Sequence, residues 1–84
     1  MLADYIRAAM KKARYELLED GEGWFATIAG FPGLWASENT VEETRDELAS
    51  GLEGWIILAL RHGETLPVIE GIDLTPELVA PRTS

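Results

Sequence analysis

The sequence predicts a small α+β domain: an N-terminal helix, a three-stranded antiparallel meander, a long helix and a fourth strand. Three observations carry that prediction. Two stretches of strand-like residues flank the turn-forming "DGEG" at 20–23. A Pro-Gly corner at Pro32-Gly33 then returns the chain into a third such stretch. Immediately after it, "TVEET" at 40–44 carries a helix-start signature ahead of a long apolar periodicity. Eighty-four residues suit one domain with one modest core.

Leu2, Ile6, Ala9, Met10 and Ala13 form an apolar stripe at helical spacing, so residues 1–13 read as an N-terminal helical extension. Arg7, Lys11 and Arg14 share another face of it. "RYELLE" at 14–19 alternates, with Tyr15 and Leu17 on one side and Arg14, Glu16 and Leu18 on the other. That is a strand pattern. "WFATIA" at 24–29 is a second strand of aromatic and β-branched residues, closing a hairpin over "DGEG". Pro at the second and Gly at the third position of "FPGL" specify a type II turn, which leads into a third strand at 34–38.

Thr40 is placed to cap the long helix, with Glu43 completing a capping box. Glu42 and Glu43 also lie where the helix dipole favours negative charge. The helix is predicted to reach about Arg61, with Gly63 as the left-handed residue that ends it. Val41, Leu48, Leu52, Ile56 and Ala59 make its core stripe, flanked by Trp55 and Leu60. Glu43, Asp46, Glu47, Ser50 and Glu53 make its polar side. Ile57 and Leu58 point away from the stripe, and a helix apolar nearly all round needs a second cover. Ile57, Leu58, Ile6 and Met10 are therefore the candidate surface for a homo-oligomer, a dimer or a tetramer. "LPVIEGIDL" at 66–74 reads as the fourth strand, entered through Pro67 with Gly71 as a bulge. The domain so defined covers 14–74, and 75–84 form a C-terminal tail.

The absence of cysteine excludes disulfides and thiolate metal sites and fits a reducing cytoplasm. No apolar run approaches a membrane span, and Asp4 and Arg7 interrupt any signal-like segment. A cytoplasmic protein without membrane attachment is expected. The net charge of −8 is uneven. Residues 1–14 hold four basic residues against one acidic, net +3; the remainder holds three basic and fourteen acidic, net −11. An acidic body repels phosphate backbones and steers toward basic partners, so direct DNA binding is not expected.

Catalytic signals are sparse. His62, the single histidine, falls where a helix end favours it. Ser37 and Ser50 lack a motif partner, and "DGEG" is acidic where a phosphate loop would not be. Glu16, Glu19, Glu38, Glu70 and Asp73 are candidate metal ligands on predicted strands, but Glu16 and Glu19 face opposite sides. Trp24, Trp35 and Trp55 lack the interleaved basic residues of a base-stacking platform. No enzyme, no catalytic residue, no metal and no cofactor are expected.

"EDGEGWFATIAGFPGLWASENTVEETRDEL" resembles the HicB-like antitoxins, with "EGWIILALRHGETLPVIEGIDL" similar to the second half of a compact branch of that family. "YIRAAMKKARYELLED" resembles the N-terminal extension of the same branch. Departures are Glu38-Asn39 in place of a small or Gly-containing pair, and Thr44 in place of alanine. Many members continue into a DNA-binding domain, and with this sequence ending at Ser84 the resemblance implies the partner-binding domain only. The resemblance implies a partly degraded ribonuclease-H-like fold, self-association, and occlusion of a small basic HicA-type mRNA-cleaving toxin. The alternative is an orphan oligomeric scaffold or regulator of the same fold. On the antitoxin reading the candidate toxin-binding residues are Asp20, Glu22, Glu38, Glu42 and Glu43, exposed at turns and the helix start, with Trp35 as an aromatic anchor.

Overall fold

A computed structural model of the chain describes residues 2–71. The order is α1 (Leu2–Met10), β1 (Ala13–Leu17), a short 3-10 turn (Glu19–Gly21), β2 (Trp24–Ile28), β3 (Trp35–Glu38) and α2 (Val41–Arg61). The strands form one antiparallel sheet in the order β1-β2-β3, the simple meander that two tight connections impose. Ala13 faces Ile28 and Leu17 faces Trp24 across the first pair; Trp24 faces Glu38 and Thr27 faces Trp35 across the second. Among the described residues no helix is long and apolar enough to cross a membrane.

Period-two alternation sends Ala26, Ile28 and Ala36 to one face of the sheet, where they are buried. Leu48, Leu52, Ile56 and Ala59 of α2 pack against them. These are four of the five stripe positions; the fifth, Val41, is only half-buried in the first turn. Fully buried Thr44 stands in that row instead. Its hydroxyl donates to the Thr40 carbonyl at 2.8 Å and accepts from the Glu38 N–H at 3.2 Å, so both its polar roles are filled.

The N-terminal helix joins this core on a face shifted from the predicted one. Ala9 of the stripe is buried and Ile6 and Met10 pack against the core, while Tyr5 and Ala8, outside the stripe, are buried with Ala9. Ile6 and Met10 are half-buried and Leu2 is exposed. The helix stops at Met10, so Ala13 belongs to β1 rather than to the stripe. Two adjacent alanines let the backbone come close, and Tyr5 fills the space beside them, with its ring edge-on to Phe31. Its hydroxyl donates to the Pro67 carbonyl.

That bond marks where the fourth strand was expected. Over residues 66–71 the chain forms an isolated bridge at Ile69 and no strand; residues 72–74 lie outside the described residues. Pro67 has no N–H to give a ladder, and Glu70 and Gly71 turn the chain through positive φ values of 51° and 79°. Gly71 is thus part of a turn, not a bulge. Leu66 and Ile69 are nonetheless buried, as apolar plugs on an irregular segment.

The Pro-Gly corner behaves as the turn chemistry requires. Gly33 has φ +85°, and the Leu34 N–H donates to the Phe31 carbonyl at 3.1 Å. The corner is also clamped to α2. Phe31 and Leu34 are buried, Phe31 lies edge-on to Trp55 with centroids 4.9 Å apart, and Trp55 Nε1 donates to the Pro32 carbonyl at 2.9 Å. At its far end α2 closes on a Schellman arrangement. Gly63 takes φ +70°, with Gly63 N–H bonded to Leu60 O and Glu64 N–H to Ala59 O.

Candidate functional site

Five of the six residues expected to meet a partner gather at one end of the molecule. The sheet register sets this up: Leu17, Trp24 and Glu38 lie side by side, so the β1–β2 loop and the end of β3 share that end. α2 begins three residues later, at Val41. The loop is wound tightly, with Leu18 N–H bonded to Gly23 O at 2.7 Å and positive φ at Asp20 and Gly21. It touches β3 directly. A Cβ on Gly23 would lie 2.4 Å from the Glu38 carbonyl oxygen, and Gly23 has φ +99°, so only glycine fits there.

Asp20, Glu22, Glu38 and Glu42 are all exposed, and none makes an ion pair among the described residues. Glu43 is different. Its N–H donates to Thr40 Oγ1 at 3.0 Å while its Oε1 accepts from the Thr40 N–H and hydroxyl, each at 3.2 Å. The capping box thus ties down its carboxylate, as its position in the sequence implied.

Trp35 stands apart from the acidic end. It opens β3, three residues before Glu38, and is 60% exposed. It projects to the sheet face opposite the helices and stacks on Phe25, with centroids 5.9 Å apart and planes at 22°. The same face carries Arg14 and Glu16 from β1, Thr27 from β2 and Ser37 from β3. None of these six residues belongs to the core cluster. Sequence spacing gave no sign that Arg14 stands in one cross-strand row with Trp35, because only the pairing joins them.

The four residues proposed for an oligomer surface divide. Ile6 and Ile57 line an apolar groove of about 390 Å³ between α1 and α2, together with Leu2, Ala3, Ile56, Leu60 and the single carboxylate of Glu53. Met10 lines a separate cleft with Arg7, Lys11, Arg45, Asp46 and Ala49. Leu58, 54% exposed, lines neither. Arg7 is partly engaged, donating to Asp4 at 3.0 Å. α1 therefore covers one side of α2 and leaves Ile57 and Leu58 in water.

His62 is exposed and takes the C-cap position of α2, where its backbone N–H bonds to Leu58 O. Of the carboxylates considered for metal binding, Glu16 lies on the outer sheet face, Glu19 in the 3-10 turn and Glu38 at the acidic end. Glu70 sits in the turn after Ile69, and Asp73 lies outside the described residues. No three His, Cys, Asp or Glu residues are grouped to hold a metal ion among the described residues.

The fold and this distribution of surfaces define a small α+β domain, with two helices on one sheet face and an acidic end beside the first hairpin. The profile of the UPF0150-like family matches residues 4–67, and the chain belongs to that family. The crystal structure of TTHA0281 from Thermus thermophilus superposes with a TM-score of 0.78. The two are 36% identical, over 86% of this chain and 89% of that one. A search of curated proteins returns no match.

Proposed function

We propose that the protein is an antitoxin that binds a small basic mRNA-cleaving toxin of the HicA type and inhibits it by covering its active surface. The observation that carries the reading is the acidic end. Asp20, Glu22, Glu38 and Glu42 are exposed, without ion pairs among the described residues, on a loop, a strand end and a helix start locked together by Gly23 and Thr44. Like charges held together without counter-charges repel one another, and a basic partner relieves that repulsion. It also raises the association rate through long-range attraction. Membership of the UPF0150-like family and the resemblance to HicB-like antitoxins support the same reading. Glu43 contributes to the helix cap rather than to the contact.

The test is co-expression with the basic protein encoded beside this chain, followed by pull-down and RNA-cleavage assays at low and high salt. Tight co-purification with loss of cleavage is expected. The triple variant Asp20→Lys, Glu22→Lys and Glu38→Lys should weaken capture by tenfold or more, mainly through the on-rate. If no such neighbour exists, or it binds the triple variant equally well, an orphan scaffold of the same fold replaces this reading.

A further inference from the structure

We infer that the sheet face opposite the helices is a two-fold contact between two copies of this chain. The face consists of two cross-strand rows, Arg14-Thr27-Trp35 and Glu16-Phe25-Ser37. A two-fold axis lying between two such sheets, perpendicular to the strands and passing between the rows, lays each row on the other row of the second copy. Trp35 then meets Ser37, Phe25 meets Thr27, and Arg14 meets Glu16, each twice. Every large side chain faces a small one, and each charge faces its opposite.

The observations bearing on this are independent of the toxin reading. Trp35 and Phe25 stack on each other on a face that neither helix covers, with Trp35 60% exposed. Arg14 and Glu16 are both exposed and make no ion pair among the described residues. Face-to-face sheets pack about 10 Å apart, a gap that interdigitated aromatic and small side chains fill. An axis parallel to the strands would instead set Phe25 on Phe25 and leave Glu16 facing Ser37, with no charge partner. The patch is about 15 Å on a side from strand spacing and rise. That is small beside the roughly 800 Å² per partner of a stable complex, so the dimer is of the weak, transient class.

Sedimentation equilibrium of the full chain over about 1–200 µM reads the contact, with far-UV circular dichroism checking each variant's fold. Arg14→Glu and Glu16→Arg should each raise the dissociation constant about tenfold or more, and the double exchange should restore it to within about threefold. Arg14→Glu combined with Glu64→Arg restores net charge away from the face and should not rescue. Ile57→Asp should leave the dimer intact. A monomer throughout, single reversals without effect, rescue by Glu64→Arg, failure of the double exchange, or dissociation by Ile57→Asp would each overturn the inference. None of these outcomes bears on toxin capture, which is measured separately.

Discussion

Replacing Gly23 with alanine adds one methyl group at the junction of the hairpin loop and β3. Two costs follow from the structure. The first is conformational: φ at +99° lies outside the region open to L side chains, a strain of about 1–3 kcal/mol. The second is steric. The new Cβ would sit 2.4 Å from the Glu38 carbonyl oxygen and 3.1 Å from its carbonyl carbon. Both are backbone atoms on a strand paired to β2, so neither can swing aside, and forced displacement of that kind costs a further ~1–3 kcal/mol. A loss of roughly 2–6 kcal/mol is expected, against a total stability of about 4–13 kcal/mol for a chain this long. For a domain this size each kcal/mol moves the midpoint by about 4–8 °C. Thermal unfolding followed by circular dichroism should therefore show a fall of at least about 8 °C. Gly21→Ala is the matched control. It has φ +69° with nothing within 4 Å of the added Cβ, so it carries the conformational cost alone and should lose about 1–2 kcal/mol. Equal midpoints for the two variants would refute the close approach of loop and strand, and with it the shared location of Asp20, Glu22 and Glu38.

Thr40→Ala should cost about 1 kcal/mol through loss of the cap, read as a shifted urea midpoint at constant m-value. Thr44→Val keeps the shape but strands the Glu38 N–H, and should cost about 1–3 kcal/mol, whereas Thr44→Ser keeps the hydroxyl and should retain most of the stability. Gly54→Ala should stabilise by about 1 kcal/mol, because the added Cβ meets nothing within 4 Å inside a long helix; a lower thermal midpoint would refute the open surface there.

What was legible in the sequence was local. The type II turn at Pro32-Gly33, the capping box of Thr40 and Glu43, and the left-handed stop at Gly63 each depend on a few adjacent residues. Their dihedral preferences and short hydrogen bonds act wherever the segment lies. The core stripe of α2 was legible for the same reason, since helical periodicity is a property of one segment. The choice between competing contacts was not. In α1 the stripe placed Ala9 in the core and Ile6 and Met10 against it, but it missed Tyr5 and Ala8, which are buried because small side chains bring the helix close enough for Tyr5 to reach Pro67. Residues 66–71 have a strand-like composition, but a strand needs a neighbour with free N–H and C=O groups in register. Pro67 and the turn at Glu70-Gly71 deny it that ladder.

The two candidate surfaces divide along the same line. That this chain is acidic and displays carboxylates near its first hairpin and its helix start was fixed by composition and turn chemistry alone. Only the strand register set Glu38 beside Trp24 and brought Trp35, at the other end of β3, onto one face with Phe25, Arg14 and Glu16. Register is a pairing between segments far apart in sequence, settled by which faces can be buried together. A one-residue slip would send every side chain of a strand to the opposite face, and burying Ala26, Ile28 and Ala36 against α2 excludes that slip.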